Sequence, residues 1–531
     1  MDSYPLTLLT VLRRARREFG HQLISYRADD GDRVCTFADC FGRADRLAAA
    51  LLELGVRPGD AVATLAWNTR EHLEIYLAAV SVGAILHPVN LRLSAGQITD
   101  IISRAGDRVV FADAGVLADI GPHVRAAGHG IPVVALGPPP AASPVDHPPA
   151  YDYQYEALLA AADPASFAYP ELVESAPAAM AFSSATTGPP KGVCYSHRAM
   201  YLHTEMLTSA QTWAISSADA VLPIVPMYHV NAWGLPFAAL WAGARLILPG
   251  RRPDGAALVS LLAEATFAAA VPTVWIDVLG ELRRTGARLP RLRLAVCGGA
   301  ALGPGLLKDA DEMDVPLIHS YGMTEASPLV LVGRPRPGAD LAGELRLKQG
   351  YVVPGLDYSV RDERGGEVAR DGRTPGELLL RGPWIVDRYL GDDPRNEAAF
   401  AGGWYHTGDV VTIDAAGYVQ LVDRMADIIK SGGEWISTIE LENALMTHPG
   451  VALAAVVGVP SERWQERPKA FVVRRPEDST AGVSATELQE LLLDRFPKFW
   501  LPDEFEFVPE IPLTSVGKID KKNIRTWPGG S

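Results

Sequence analysis

The sequence contains little cysteine and no long apolar run. Four cysteines occur in 531 residues, namely Cys35, Cys40, Cys194 and Cys297. Only the first two lie close together, and no second pair accompanies them, so the spacing of a structural zinc site is missing. We expect reduced thiols of a cytoplasmic protein. No apolar run reaches the ~18 residues that a membrane-spanning helix needs, so no membrane span is predicted.

The sequence also lacks an excess of positive charge. Lysine and arginine total 49 and aspartate and glutamate total 63, which gives a net charge of −14. This balance argues against nucleic acid or an anionic membrane as the main partner. Residues 1–20 carry their charges after an apolar stretch, the reverse of a secretory signal peptide. They are predicted to form an amphipathic helix.

Strand-like and helix-like segments alternate through most of the chain. Residues 60–67 form an apolar strand and 69–83 a helix that ends in glycine, and the pattern returns at 244–274 and 291–325. Near-continuous apolar strands that alternate with helices are typical of parallel sheets covered on both faces. The predicted class is therefore α/β, with a large N-terminal domain of covered, mostly parallel sheets. The proline-rich residues 137–150 are predicted to form an exposed loop.

The character of the sequence changes near residue 410. The next fifteen or so residues predict a hairpin closed by an Asp-to-Gly turn, and Ser437 with Glu440 predicts the capping box of a helix. Two strands, another helix and a lysine-rich tail follow, as in a small α+β domain. We predict rigid domains that move about a hinge: an N-terminal domain over 1–422, the hinge over 423–428 and a mobile C-terminal domain over 429–531.

One loop has the composition of a phosphate-binding site. Residues 183–193, SSATTGPPKGV, lie between an apolar strand and a helix that is predicted to begin at Ser196. Backbone N–H groups and hydroxyls in such a loop face an anion, and Lys191 would neutralise it. The loop is not a P-loop of the G-x-x-x-x-G-K-[ST] type, because Gly192 follows the lysine. Taken alone, it is either a phosphate-binding loop or a turn of small residues.

Three further stretches carry candidate polar side chains. YGMTEASP places Thr324 and Glu325 at the carboxyl end of a strand, where the ligands of α/β proteins bind. GWYHTGDVV places Asp409 at the entry to the hairpin, as a partner of ribose hydroxyls or as a turn cap. IPLTSVGKIDKK places Lys518 after a glycine in a polar loop. In isolation, Glu325 is either a ligand-binding or an ordinary solvated side chain, and Lys518 is typical of an ordinary surface lysine.

In this order, the four stretches resemble the acyl-adenylate-forming enzymes: acyl-CoA synthetases, luciferase-like enzymes and the adenylation domains of peptide synthetases. The resemblance runs from about residue 25 to the tail. VPMYHVNAWGLPFAA at 225–239 and DIIKSGGEWIS at 427–437 are most similar to medium- and long-chain fatty acyl-CoA synthetases. The resemblance implies a ligase that uses ATP and Mg²⁺ to activate a hydrophobic carboxylic acid as an acyl-adenylate, and then transfers the acyl group to CoA as a thioester.

The resemblance also implies a role for each residue of the nucleotide site. Glu325 would bind Mg²⁺, Thr324 would reach the α-phosphate, and the catalytic Lys518 would lie between the attacking carboxylate and the α-phosphate. The remaining implied residues hold the phosphates, the adenine and the ribose: Ser183, Ser184, Thr186, Thr187, Gly188 and Lys191; Gly299, Ala300 and Tyr321; and Asp409 and Arg424.

An acyl site and a second catalytic conformation follow from the same resemblance. After adenylation the small domain would rotate about the hinge, which replaces Lys518 by the catalytic Lys430 and by the CoA-binding Gly432, Gly433 and Trp435. The acyl group would be held by His229, Val230, Trp233 and Met323. An α-amino acid substrate is excluded, because His229 stands where amino-acid-activating relatives have aspartate.

Three positions depart from the family pattern. Ala185 stands where the loop usually has glycine, Ala426 where the hinge has lysine or aspartate, and Arg388 where glycine precedes Tyr389. These departures leave adenylation intact and keep open a different acceptor: a carrier protein, an amine, or nitrite in diazo formation. A nucleotide-binding protein without turnover is a third alternative, against which the retained lysines argue. A homodimer is also left open.

Overall fold

Helices and strands alternate along the chain in the computed structural model. The structure describes residues 4–28, 30–127, 130–137, 151–183, 190–251, 253–336, 344–431, 434–461, 463–475, 483–514 and 519–527, with the backbone alone at 126, 127 and 434. The predicted proline-rich loop therefore lies, beyond residue 137, outside the described residues.

The helices are α1 (Leu8–Phe19), α2 (Phe37–Glu53), α3 (Arg70–Val82), α4 (Ala95–Ala105), α5 (Ala114–Ala127), α6 (Tyr155–Ala161), α7 (His197–Thr208), α8 (Val230–Trp233), α9 (Leu235–Ala242), α10 (Gly255–Leu262), α11 (Pro272–Thr285), α12 (Pro304–Glu312), α13 (Asn396–Ala399), α14 (Thr438–Leu445), α15 (Ala485–Leu493) and α16 (Lys521–Thr526). Short 3₁₀ turns occur at Pro164–Ser166, Thr324–Ala326, Glu344–Leu347, Ala401–Gly403 and Lys498–Trp500.

The strands are β1 (Leu23–Ala28), β2 (Gly31–Thr36), β3 (Ala61–Leu65), β4 (Ile85–Pro88), β5 (Asp107–Asp113), β6 (Val133–Leu136), β7 (Tyr153–Gln154), β8 (Pro177–Phe182), β9 (Gly192–Ser196), β10 (Ala220–Pro223), β11 (Arg245–Leu248), β12 (Phe267–Ala270), β13 (Leu294–Cys297), β14 (Leu317–Gly322), β15 (Leu329–Val332), β16 (Tyr351–Val352), β17 (Asp357–Arg361), β18 (Gly376–Arg381), β19 (Tyr405–Ile413), β20 (Val419–Arg424), β21 (Ile429–Ser431), β22 (Glu434–Ile436), β23 (Val451–Ser461), β24 (Gln465–Arg474) and β25 (Glu504–Phe507).

Two large sheets form the N-terminal part of the molecule. One has the order β16-β15-β14-β13-β12-β10-β11-β1-β2 and the other the order β7-β6-β5-β3-β4-β8-β9. Their inner strands are parallel, and antiparallel pairing is confined to β2, β15, β16 and β9. One apolar core contains residues of both sheets and of the helices between them, such as the stacked Tyr76 and Phe237. The prediction of covered, mostly parallel sheets is confirmed.

A third sheet differs from the other two because all its strands are antiparallel. Its order is β17-β18-β19-β20. The sequence predicted only the last hairpin, whose turn is closed by the Gly417 N–H donating to Asp414 O at 2.9 Å. Asp409 was predicted at the entry to this hairpin, and the structure places it within β19, paired in register with Arg424. Its side chain is thereby fixed by strand pairing.

A fourth, smaller sheet lies beyond β20. Its order is β22-β21-β24-β23, with β25 added on β24. Strand β20 ends at Arg424 and β21 begins at Ile429, and the predicted domain boundaries remain a prediction. Ser437 caps α14 by accepting a hydrogen bond from the Glu440 N–H at 3.1 Å, and its own hydroxyl donates to Val422 O at 2.5 Å. The cap therefore also ties α14 to β20.

Groups from two helices hold the end of β20 and the short connection that follows it to β21. Asp423 is buried and accepts a hydrogen bond from the Thr438 N–H at 2.7 Å. From the last helix, Arg525 donates to Ala426 O at 2.9 Å and pairs with the Asp427 carboxylate at 2.7 Å. The connection is thus fixed by residues that are remote from it in sequence.

The four cysteines are free in this structure. Burial raises the pKa of Cys194 to about 11, so this thiol stays protonated near neutral pH.

Within the described ranges, no helix has both the length and the apolarity that crossing a bilayer requires.

Candidate active site

A cavity of about 750 Å³ opens at the carboxyl ends of β13 and β14, beside β19. This is the edge of a mainly parallel sheet at which ligands bind. Twelve residues that the sequence analysis assigned to the nucleotide or acyl site line it: Ser183, Lys191, His229, Val230, Trp233, Gly299, Tyr321, Met323, Thr324, Glu325, Asp409 and Arg424.

One polar cluster in the cavity contains Lys191, Glu325 and a residue that the sequence analysis did not assign, Tyr389. The Tyr389 hydroxyl donates to Glu325 Oε1 at 3.0 Å and accepts a hydrogen bond from Lys191 Nζ at 3.3 Å. Burial raises the pKa of Tyr389 and lowers that of Lys191. The tyrosine therefore stays a neutral bridge that holds a cation and an anion apart at a fixed spacing.

The backbone around this bridge is fixed by hydrogen bonds to neighbouring elements. The buried Tyr195 hydroxyl donates to Thr324 O at 2.6 Å, and the Val386 N–H donates to Glu325 O at 2.9 Å. The Asn396 side chain accepts from the Tyr389 N–H at 2.7 Å and donates to its carbonyl at 3.3 Å. The charged groups are thus positioned before any ligand arrives.

A second polar cluster forms around Asp409. The Tyr321 hydroxyl donates to Asp409 Oδ2 at 2.5 Å, and Arg424 Nε lies 3.4 Å from Oδ1. The Asp409 carboxylate raises the pKa of Arg424, and burial raises that of Tyr321. A buried carboxylate flanked by a neutral phenol and a cation is well suited to accept hydrogen bonds from a ribose diol.

Two glycines let an aromatic ring lie against the end of β13. A Cβ atom on Gly298 would lie 2.8 Å from Ser320 O and 3.0 Å from the Trp233 ring, so only glycine fits. Gly299 has φ +82°. The neighbouring Ala300 does not line the cavity; its carbonyl lies 3.2 Å from His319 Nε2.

The turn that carries Trp233 is left-handed. Residues Val230 to Gly234 all have positive φ, from 46° to 77°, which costs about 1–2 kcal/mol for each non-glycine residue. The buried Tyr76 hydroxyl anchors this region by donating to Met227 O at 2.6 Å. Backbone strain of this kind persists where the surroundings over-determine it, and here it directs Val230 and Trp233 to the cavity.

Of the residues predicted for the second half-reaction, the two that the structure describes, Lys430 and Trp435, do not line this cavity. Lys430 and Trp435 are paired in register across β21 and β22, and Lys430 Nζ lies 3.5 Å from Glu363. Trp435 lines a separate cavity of about 570 Å³. The remaining predicted residues lie outside the described ranges: Ser184, Thr186, Thr187, Gly188, Gly432, Gly433 and Lys518.

Sequence reasoning missed several side chains that line the cavity, including Trp213, Glu377, Tyr389, Arg395 and Tyr405. For Tyr389 the unusual residue before it was the available signal. Tyr405 lies within the quoted GWYHTGDVV stretch but was assigned no role, and the others come from elements that are separated from the motifs in sequence. Their approach depends on tertiary packing, which a local pattern does not encode.

Two family models match the chain. The "AMP-binding enzyme" model matches residues 12–390, and the "AMP-binding enzyme C-terminal domain" model matches residues 440–518. The chain therefore belongs to the AMP-binding enzyme family, as the four motifs predicted. It is an AMP-forming acid–thiol ligase, which activates a carboxylic acid through an acyl-adenylate and transfers it to CoA.

Relatives of known activity cover the whole length of the chain. A long-chain-fatty-acid–CoA ligase of Thermus thermophilus is 41% identical over 99% of this chain and 97% of its own. A 3-methylmercaptopropionyl-CoA ligase of Ruegeria pomeroyi is 37% identical over 98% and 97%. An anthranilate CoA ligase solved with anthranoyl-AMP has the same fold, with a TM-score of 0.87 at 24% identity over 99% and 98%.

Proposed function

We propose that the acid activated by this enzyme is hydrophobic, with no charged group besides its carboxylate, and that Lys191, Glu325 and Asp409 hold Mg-ATP beside it. The observation that carries the proposal is one cavity lined both by polar groups, among them Lys191, Glu325 and Asp409, and by Val230, Trp233 and Met323. The named substrates of the Thermus and Ruegeria relatives, a long-chain fatty acid and a thioether acid, support a hydrophobic acyl group.

The proposed chemistry requires positioning and neutralisation of charge more than covalent catalysis. A carboxylate attacks the α-phosphate, and pyrophosphate leaves. Lys191 neutralises the leaving phosphates together with the hydroxyls of the 183–193 loop, while Asp409 accepts hydrogen bonds from the ribose. Lys518 stabilises the charges of the carboxylate and the α-phosphate as they approach.

Glu325 is the proposed protein ligand of Mg²⁺. Mg²⁺ takes hard oxygen ligands and is commonly bound by one or two carboxylates together with substrate phosphates. Glu325 is buried, and its Oε1 accepts a hydrogen bond from Tyr389, which orients the carboxylate without supplying a competing cation. When bound, Mg²⁺ would neutralise phosphate charge.

We further propose that thioester formation uses Lys430, Gly432, Gly433 and Trp435 after a movement about residues 423–428. The separation of Lys430 and Trp435 from the nucleotide cavity supports a movement between the two half-reactions. Ala426 lines the cavity at the hinge, where a lysine would add a cation. This observation favours testing other acceptors, a carrier protein, an amine or nitrite, beside CoA.

The test is pyrophosphate release from Mg-ATP over a panel of carboxylic acids and nitrite, with and without CoA. We expect turnover with a hydrophobic acid that requires CoA, and its loss in Lys518→Ala. Release that ignores CoA or requires nitrite would contradict the proposed acceptor. We also propose that the enzyme is located in the cytoplasm, in keeping with the free thiols, and that it forms a homodimer. Cell fractionation tests the location, and gel filtration tests the oligomeric state.

A further inference from the structure

Trp213 is a large side chain in the active-site cavity that belongs to none of the motifs. It lines the cavity and is only 1% exposed. Its indole N–H donates to Ser320 Oγ at 3.4 Å, and its ring packs on Phe267 with centroids 5.6 Å apart. The indole therefore contacts both the cavity and the apolar core.

The backbone that carries Trp213 is clamped from outside the segment. Arg293, paired with the buried Asp219 at 2.6 Å, donates to Trp213 O at 3.2 Å and to Ala214 O at 3.1 Å. Arg334 donates to Thr212 O at 2.9 Å. These guanidinium hydrogen bonds fix three consecutive carbonyls, so the backbone from which the indole projects is held in place.

Trp213 and Trp233 approach the same part of the cavity. The Trp233 ring lies against Gly298, whose neighbour across the sheet is Ser320, the hydrogen-bond partner of Trp213. Val230, Met323 and Leu329 line the cavity with them. The two indoles thus lie beside apolar side chains of the cavity. The backbone of one of them, Trp213, is held by hydrogen bonds from Arg293 and Arg334.

We propose that Trp213 forms the end wall of the acyl pocket. The enzyme would then prefer short- or medium-chain acids to long-chain acids. This inference rests on the proposed function. A rigid wall discriminates by overlap with the terminal methylenes of a longer acid. Discrimination at one methylene reaches about 10- to 200-fold in such pockets.

The experiment measures kcat/KM for pyrophosphate release with butyrate, octanoate and palmitate. In the unmodified enzyme we expect palmitate to be at least about 10-fold poorer than the best shorter acid. Trp213→Ala and the less disruptive Trp213→Leu should raise the palmitate-to-butyrate ratio by about 10-fold or more. Trp213→Phe should keep most of the wall, and Trp464→Ala, at an exposed tryptophan, is the matched control.

Two results would contradict the proposal that Trp213 forms the end wall of the acyl pocket. One is an unmodified enzyme that uses palmitate as well as butyrate, which needs no variant to fold. The other is a folded Trp213→Leu enzyme with an unchanged ratio, since a purely structural role of the indole would lower all three activities together. Absence of pyrophosphate release with every acid would instead refute the proposed function, which keeps the two failures distinct.

Discussion

The hydroxyl of Tyr389 lies 3.0 Å from the carboxylate of Glu325. The same hydroxyl accepts a hydrogen bond from Lys191 at 3.3 Å, and the lysine Nζ lies 4.8 Å from the centroid of the Tyr389 ring. One neutral side chain thus separates Lys191, the cation proposed to neutralise phosphate, from Glu325, the proposed metal-binding anion. Without it, the two would be free to form an ion pair with each other instead of with Mg-ATP.

Tyr389→Phe should therefore reduce adenylation. A hydrogen bond to a charged group contributes about 1.5–3 kcal/mol, so kcat/KM for pyrophosphate release should fall about 10- to 100-fold, with a higher Mg²⁺ requirement. The measurement is pyrophosphate release at a series of Mg²⁺ concentrations. Tyr201→Phe is the control, since Tyr201 packs edge-to-face against Trp241 and does not line the cavity. If the rate of pyrophosphate release depends on Mg²⁺ concentration in the same way in both variants, the bridging role of Tyr389 is contradicted.

Asp409→Asn should weaken ATP binding more than catalysis. The substitution keeps the shape but removes the charge that Tyr321 and Arg424 share. Because ribose contacts are made in both ground and transition states, KM for ATP should rise about 10- to 100-fold with little change in kcat. Asp357→Asn removes an exposed partner of Arg381 and should leave KM unchanged. A fall in kcat alone would be inconsistent with a ribose-binding role.

Gly298→Ala should displace the Trp233 ring. The added Cβ would lie 2.8 Å from Ser320 O, and overpacking costs about 1–3 kcal/mol. We expect kcat/KM for both ATP and acid to fall about 10- to 100-fold. Gly305→Ala lies in α12 with nothing within 4 Å of the new Cβ. It should keep full activity and gain up to about 1 kcal/mol of stability. Similar activities of the two variants would refute the steric argument.

Acid should destabilise the fold through buried histidines. Burial lowers the pKa of His72 from 6.5 to about 4, while Nε2 lies 2.8 Å from Thr64 Oγ1 and Nδ1 lies 2.9 Å from Trp67 O. Since the unfolded state binds the proton more tightly, this stabilisation is complete above pH 6.5. It is lost as the pH falls from 6.5 towards 4, at about 1.4 kcal/mol per pH unit.

His72→Gln removes this titration and can still reach Thr64. The midpoint of chemical unfolding, measured between pH 7 and pH 4.5, should fall less steeply in the variant than in the unmodified enzyme. The carboxylates titrate equally in both proteins, so the difference isolates one histidine. Parallel curves would show that His72 does not contribute.

Features set by neighbours in sequence were predictable. The helix at 70–82, the Ser196 N-cap and the turn at Asp414 all follow from residues within a few positions of one another. The motifs and the resemblance that they carry likewise predicted twelve of the residues that line the cavity, because the ends of adjacent parallel strands meet at one edge.

Features set by distant contacts were not predictable. Lys191 and Tyr389 meet although 198 residues separate them, and no local pattern encodes that approach. The left-handed turn at 230–234 contains ordinary residues and depends on an anchor, Tyr76, 151 residues before Met227. Strands β17 and β18 form a sheet whose short, half-polar sequences give little periodic signal.

The hydrogen bonds of Arg525 to residues 426 and 427 form late in the synthesis of the chain. Helix α16 follows the other described elements in sequence, so Arg525 is translated after the described strands of all four sheets. Until then the connection between β20 and β21 lacks the hydrogen bonds to Ala426 and Asp427. This late-synthesised helix therefore fixes the joint, and a chain cut short before Arg525 would retain every described strand yet lack the two hydrogen bonds that hold the joint.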